Sequence, residues 1–290
     1  MSGWPENAPR SLLFVPGDRA VGLIEKAARS GTDVVIIDLE DAVATSRKES
    51  ARGEVRAALA SSRPTVPILI RVNAPGTAWH DDDVVFARQV GVDGIVVPKC
   101  RHAEDVAVVA DALDESTPVV ALLESPTGVL AADAIATAHP AVAGLAFGAV
   151  DFAAALGIGP VAAGAPVDHA RLHVALAAAA AGVWAIDGPC LDLKRTEVVR
   201  DEARAARAAG CSGKLLVHPS QVRPVHEAFR PTDDEVADAR RLLADFGEMV
   251  ERGQGVAAID GKMVDAAVAA AARRTIATAE HYESDEPTEE

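Results

Sequence analysis

Eight short apolar runs, each followed by polar or helix-forming sequence, are what most constrains the fold of this 290-residue chain. They are Ser11–Gly17, Asp33–Asp38, Pro67–Asn73, Gly94–Lys99, Val119–Pro126, Leu145–Asp151, Val183–Asp187 and Lys214–Pro219. Runs of this length, bounded by Gly, Pro or Ser, read as strands buried on both faces. Helical spacing is predicted between them over about Ala20–Ser30, Ser46–Ala60, Asp82–Val90, Ala103–Leu113, Asp168–Ala181 and Lys194–Ala209. Strand–helix alternation repeated eight times in about 220 residues predicts an α/β chain folded as a (β/α)8 TIM barrel. A doubly wound open sheet is the runner-up, but no GxGxxG follows the first strand. The barrel is expected over residues 11–230 and a C-terminal helical extension or lid over 231–281. That extension is read as one or two helices, joined by the turn Gly253-Gln-Gly255 and the sequence Asp260–Asp265. Residues 1–10 and 282–290 are expected to be disordered tails.

Hydrophobic residues make up 49% of the chain but aromatics only 3%, which suits Ala- and Val-rich helices packed closely on a parallel sheet. A formal net charge of −15 argues against nucleic acid or an anionic membrane as the main partner. It leaves an anionic substrate open, because local Arg and Lys can override the global field. Cys100, Cys190 and Cys211 are widely spaced, with no CxxC, which argues against a disulfide framework or a zinc site. A reduced cytoplasm is therefore the expected compartment. No apolar segment is found in Met1–Arg10, and no run approaches the length of a membrane span.

In barrels of this kind the chemistry lies at the carboxyl ends of the strands. Those ends supply Pro16 and Gly17, then Asp38, Glu40 and Asp41, Arg71 and Asn73, Lys99, Glu124, Asp151, Asp187 and His218. Glu124 and Asp151 close two successive strands, so they are expected side by side. Two carboxylates held together repel unless a cation sits between them, and hard oxygen ligands suit Mg2+ or Mn2+. The plainer reading, that each acid caps the following helix, is stronger for either one alone than for the pair. Arg71 stands at the mouth of an apolar core, where its planar fork can hold a carboxylate or a carbonyl oxygen. A salt bridge to Asp38 or Glu40 is its plainer role, and both can hold at once. Lys99 is equally suited to the same anion or to an acidic neighbour. His218, in a Val-His-Pro setting, reads as a hydrogen-bonded wall residue, and no GxSxG nucleophile is present. A divalent ion beside an Arg, without a nucleophile, points to enolate chemistry next to a carbonyl.

Several motifs occur together in one order: Leu13-Phe-Val-Pro-Gly17, Ile37-Asp-Leu-Glu-Asp-Ala-Val43 with Lys48 and Arg52, Ile70-Arg-Val-Asn73, and Val97-Pro-Lys99. They continue with Leu122-Leu-Glu-Ser125, Phe147-Gly-Ala-Val-Asp-Phe152, Ala185-Ile-Asp-Gly188, Gly213-Lys-Leu-Leu-Val-His-Pro-Ser-Gln221 and Gly261-Lys-Met-Val-Asp265. Over about residues 11–270 this set resembles the citrate lyase β-subunit-like branch of the HpcH/HpaI aldolases, the CoA ester lyases.

The resemblance implies a Mg2+-dependent oxo-acid lyase working as a homotrimer or a dimer of trimers. Its substrate would be a short 3-hydroxyacyl-CoA such as citryl-, citramalyl- or malyl-CoA, made from or cleaved to acetyl-CoA and a 2-oxo acid. Thioesterase action on malyl-CoA, or service as a citrate lyase subunit on a carrier-bound thioester, are the alternatives. By the same resemblance Glu124 and Asp151 bind the metal, and Arg71 holds the thioester carbonyl. Asp38 and Glu40 support Arg71 and the metal's waters, and Asp265 acts as acid or base in a neighbouring subunit. Pro16, Gly17, Arg19 and Lys26 fall in the CoA-contacting region. Relatives acting on free pyruvate or aldehydes carry Glu-His where this chain has Glu40-Asp41, which favours a CoA thioester here. Two positions depart from the pattern: the segment after Asp151 lacks an Asp before Leu156-Gly157, and no Pro follows Asp265.

Overall fold

The alternation is realised as a closed barrel of eight parallel strands in sequence order, β1 pairing with β8 through Ser11 and Lys214. The computed structural model describes residues 8–114, 117–159, 164–251, 255–259 and 261–284. The chain divides into two compact units, Met1–Phe229 and Arg230–Glu290.

The first unit begins β1 (Ser11–Pro16), α1 (Ala20–Ala28), β2 (Val34–Asp38), α2 (Lys48–Ser61), β3 (Ile68–Arg71) and α3 (His80–Val90). It continues with β4 (Gly94–Val97), α4 (Ala103–Asp111), β5 (Val119–Leu123), α5 (Pro126–Leu130) and α6 (Ala132–Ala136). Next come β6 (Val142–Phe147), α7 (Ala149–Ala155), α8 (Ala165–Ala181), β7 (Trp184–Asp187), α9 (Thr196–Ala208), β8 (Gly213–Leu216) and α10 (Val222–Phe229). Local chemistry sets several of these boundaries. Three aspartates open α3, where the helix dipole favours negative charge, and Gly91 ends it in the left-handed conformation at φ 63°.

The strands are apolar throughout because each has two buried faces. Leu12, Val34, Ile36, Leu69, Val96 and Val120 belong to the cluster that fills the barrel. Their chain neighbours Leu13, Val35, Ile37, Ile68, Ile70 and Ile95 pack outward in the cluster that includes the helices. This period of two decides which side chain at each strand end faces the mouth.

Asp187 falls on the wrong side of that alternation. Ile186 faces inward, so Asp187 points behind the barrel, where its carboxylate accepts from Lys214 Nζ at 2.6 Å and Arg171 Nε at 2.8 Å. Burial would raise the acid, but the two cations outweigh it and hold Asp187 below the usual carboxylate range. It is a buried ion-pair anchor for β7, β8 and α8, not a mouth residue.

At the opposite end, α10 is fixed to β1 through His226, whose Nε2 lies 2.7 Å from the Ser11 hydroxyl and 3.4 Å from Asp33. Asp33 in turn accepts from the Arg10 backbone N–H at 2.7 Å and from its Nη2 at 2.8 Å. Of the expected tails, residues 1–7 and 285–290 lie outside the described residues.

The second unit holds α11 (Asp233–Glu251), a hairpin of β9 (Ala257–Ile259) and β10 (Lys262–Val264), and α12 (Ala266–Ser284). The antiparallel hairpin stands where a simple turn between helices was expected. Gly253, Gln254 and Asp260 of that turn lie outside the described residues. No helix among the described residues is long and apolar enough to cross a membrane.

Candidate active site

Inward alternation carries Phe14 and Pro16 on β1, Asp38 on β2 and Arg71 on β3 to the carboxyl-end mouth. One step beyond their strands, the same parity brings in Glu124, Gly148 and Val217. They share a cleft of ≈ 410 Å3. Asp38 and Arg71 are direct register partners, which places their side chains together. Arg71 donates from Nε to Asp38 Oδ1 at 2.8 Å and from Nη2 to Oδ2 at 2.5 Å, a bidentate fork. Asp38 is itself fixed, accepting from the backbone N–H of Glu40 at 2.8 Å and of Ala42 at 3.0 Å. The guanidinium lies 4.6 Å over the Phe14 ring. Burial works against its charge, but Asp38 and Glu40 overcome that and raise its pKa above the ordinary arginine value. The expected salt bridge and a place at the mouth therefore coexist: Asp38 takes the Nε/Nη2 edge of the guanidinium, and Arg71 still lines the cleft.

Glu40 is buried, with Oε2 3.3 Å from Arg71 Nη1 and Oε1 2.6 Å from Lys99 Nζ. Lys99 has a left-handed backbone, φ 54°, unusual for a residue with a side chain. The turn lets its ammonium reach both Glu40 and Asp41, the latter at 3.2 Å. Although burial opposes it, these two acids hold Lys99 protonated well above the ordinary lysine range. Both roles read for Lys99 begin from this geometry: it is paired to acids and stands beside Asp41, which lines the cleft.

Glu124 follows β5 and is 4% exposed, and its Oε2 has no hydrogen-bond partner among the described residues. Burial, with the negative charges of Glu40 and Asp151 and against Arg71, pushes its pKa up to about 8. Gly148 makes room for it: a Cβ there would overlap Glu124 Cγ and lie 3.2 Å from its Cβ and Cδ. Asp151 lines the same cleft, but it does not end a strand. β6 stops at Phe147, and Asp151 stands in the first turn of α7, exposed. Among the described residues no group of three or more His, Cys, Asp or Glu is arranged to hold a metal. Glu124 and Asp151 are thus a two-carboxylate set. Such a set fits Mg2+, which is commonly held by one or two carboxylates while substrate oxygens and water complete its octahedron.

The arc of the cleft formed after β7 and by β8 is apolar, with Leu191, Leu215 and Val217. Pro16 lines the cleft as well, while Gly17 is buried beneath, where a Cβ would meet Leu39 Cδ2 at 2.7 Å and Asp38 O at 2.9 Å. Arg19 and Lys26 are exposed, Arg19 lying 3.8 Å from Asp18 and Lys26 standing on α1. His218 is exposed and accepts from the Ser220 backbone N–H at 3.2 Å, as a wall residue would. Asp265 belongs to the second unit, where its Oδ1 accepts from the N–H groups of Ala267 at 2.9 Å and Val268 at 3.0 Å and so caps α12.

Behind the mouth runs a buried polar chain that the motifs marked but did not explain. Lys48 Nζ donates to the carbonyls of Leu39 at 3.2 Å and Glu40 at 3.0 Å, and to Asn73 Oδ1 at 2.5 Å. All three ammonium protons are satisfied. Asn73 Nδ2 donates to Asp83 at 2.6 Å, and Asp83 accepts from Arg52 at 2.8 Å. The chain ties α2 and α3 to the turns after β2 and β3, which carry Glu40 and follow Arg71. Asn73, closing the apolar run from Pro67, was the available signal, since a buried amide must be fully bonded; Lys48, between Arg47 and Glu49, gave none.

Comparison with known proteins agrees with this architecture. The family model for HpcH/HpaI aldolase/citrate lyase matches residues 10–219. A citrate lyase subunit beta-like protein of Deinococcus radiodurans is 40% identical over 279 residues, covering 92% of this chain and 97% of that one. A (3S)-malyl-CoA thioesterase of Cereibacter sphaeroides is 37% identical over 277 residues, covering 93% and 94%. The crystal structure of CitE from Mycobacterium tuberculosis, in complex with magnesium, acetoacetate and coenzyme A, superposes with a TM-score of 0.84 at 35% identity. That match covers 95% of this chain and 99% of the other. Barrel, mouth motifs and relatives matched over most of their length converge on one conclusion: this chain belongs to the HpcH/HpaI aldolase/citrate lyase family.

Proposed function

We propose that the protein is a Mg2+-dependent carbon–carbon lyase, with Mn2+ as a substitute ion, acting on a short 3-hydroxyacyl-CoA to give acetyl-CoA and a 2-oxo acid. The observation that carries this is a guanidinium gripped on one edge by Asp38, sharing a cleft with Glu124, whose buried Oε2 has no hydrogen-bond partner among the described residues. The crystal structure of CitE with magnesium, acetoacetate and coenzyme A supports the same ligand classes here.

Glu124 and Asp151 would hold the ion, which supplies a Lewis acid for the oxygens of the oxo-acid portion. Arg71 would then offer a guanidinium N–H not taken by Asp38 to the thioester carbonyl. The 3-hydroxyl proton goes to a base, the C2–C3 bond breaks, and its electron pair moves into the thioester as an enolate. Arg71 neutralises that charge without reorganising, because Asp38 and the Phe14 ring already fix it. The enolate takes a proton at C2 and leaves as acetyl-CoA. Lys48 holds the Glu40 turn, so that Glu40 flanks Arg71 rather than swinging into the cleft. Asp265 is proposed as the acid–base group, supplied by a neighbouring subunit of a homotrimer. Pro16, Gly17, Arg19 and Lys26 are proposed to contact the CoA portion, with Lys99 at its edge.

Replacing Glu124→Gln together with Asp151→Asn is expected to abolish Mg2+-dependent release of acetyl-CoA while the circular-dichroism melt stays cooperative. Near-normal turnover in that variant would rule the site out. The similarity to a (3S)-malyl-CoA thioesterase favours one second reading, hydrolysis of the same bound ester by water. Product analysis separates the two: acetyl-CoA with an oxo acid marks the lyase, and free CoA with intact hydroxy acid marks the thioesterase.

A further inference from the structure

The cleft's two walls differ in kind. One carries Asp38, Asp41, Glu124 and Asp151 with Arg71, the only cation among the described residues that line it. Arg71 is already bound to Asp38, and Lys99 is held by Glu40 and Asp41. Even with a divalent ion in place this wall stays net negative. The other wall follows from the strand order: the loop after β7 and the end of β8 offer Leu191 and Val217, 54% and 41% exposed, beside Leu215. Large apolar side chains left this open at a cleft gain from being covered by an apolar group.

We infer that the substrate's third substituent on carbon 3, beside its hydroxyl and carboxylate, is a methyl or other short alkyl group, and that Leu191 and Val217 select it. This rests on the lyase reading above. In that reaction class the hydroxyl and the carboxylate on carbon 3 are oxygen groups, and they belong to the polar wall. The third substituent is left to the apolar wall. A second carboxylate there would lose its hydration, find no free cation and face a negative wall. A bare hydrogen would leave Leu191 and Val217 wet. An alkyl group satisfies both constraints, so the oxo acid released is pyruvate-like rather than dicarboxylic.

Three CoA esters differ only at this position: malyl-CoA carries hydrogen, citramalyl-CoA methyl and citryl-CoA a carboxymethyl group. With Mg2+ present, kcat/KM for citramalyl-CoA is expected to exceed that for each of the others by roughly tenfold, the usual worth of a methyl in an apolar pocket. Calorimetry of the Mg2+-loaded protein should show pyruvate and 2-oxobutyrate binding more tightly than oxaloacetate. Leu191→Arg, and separately Val217→Lys, should narrow the citramalyl/citryl ratio by at least about tenfold, each supplying the missing cation. Equal or better use of malyl- or citryl-CoA, with acetyl-CoA formed, overturns the selection and leaves the lyase intact. If no ester gives acetyl-CoA, the lyase reading falls by itself, and oxo-acid binding decides the selection: tighter oxaloacetate overturns it.

Discussion

Glu124 can aim into the cleft only because residue 148 has no side chain, so a methyl group added there moves a carboxylate rather than merely filling space. Gly148→Ala is expected to raise the Mg2+ concentration for half-maximal activity by about 10- to 100-fold, the usual cost of a disturbed ligand support. Unfolding stability should fall by only about 1–3 kcal/mol, as for a single overpacked methyl. Metal titration of activity and urea denaturation, run side by side, check both. A metal affinity that stays unchanged would mean that Glu124 is not held by this contact. At this scale the sequence was legible wherever strand parity could be counted. Asp38, Arg71 and Glu124 follow inward-facing neighbours by two residues, and all reach the mouth. Asp187 follows an inward-facing Ile186 by one, and the same counting would have sent it outward. Lys99 escapes such counting because its left-handed backbone breaks the alternation. Gly148 was silent because nothing in a chain marks which side chain will cross a glycine.

His226 couples an element to pH. On α10 it is buried against Ser11 and Asp33; burial, helped by the charge of Arg10 and opposed by Asp33, lowers its pKa to about 4 from 6.5. The unfolded chain therefore binds the proton more readily than the folded one between these values. The stabilisation is fully present above about pH 6.5 and is lost as pH falls towards 4, by an amount on the order of 3 kcal/mol. His226→Gln should be less stable than the parent at pH 7 and lose less of its melting temperature between pH 6.5 and 4.5. Scanning calorimetry across that window checks it, and parallel slopes for the two proteins would refute the assignment. Whole elements were the most legible feature, because a strand buried on two faces has no polar position to obscure it. Apart from α10, beyond the last strand, the segments that sequence reading missed are those without a period. Leu145–Asp151 reads as one apolar run although β6 ends at Phe147, since α7 opens with Ala149 and Val150. α5 and α6 have five residues each, too few to show helical spacing. The three-residue strands β9 and β10 are too short to alternate.

The molecule as a whole poses the question of how many chains make one site. The barrel unit contains a fixed cation, Arg71, and the carboxylates of Glu124 and Asp151, which are proposed to hold the metal. Among the acids by the cleft, Asp38 is bound to Arg71, Asp41 is paired with Lys99, and Glu40 is flanked by Arg71 and Lys99. Asp265 lies in the second unit, and the proposal gives it to a neighbouring chain's site. Complementation tests that arrangement. Arg71→Ala and Asp265→Asn should each be inactive alone. Subunits mixed at equal amounts, unfolded together and refolded, would assemble at random into symmetric oligomers. A working site then needs its own Arg71 from one variant and Asp265 from the other, so about a quarter of sites should recover. The recovered activity should vary with the mixing ratio and peak near equal amounts. If Asp265 served its own chain's barrel, every site would retain one defect, and the mixture would be as inactive as its parts. Activity measured across mixing ratios, with the oligomer's mass followed by light scattering, therefore decides both the partnership and the number of chains.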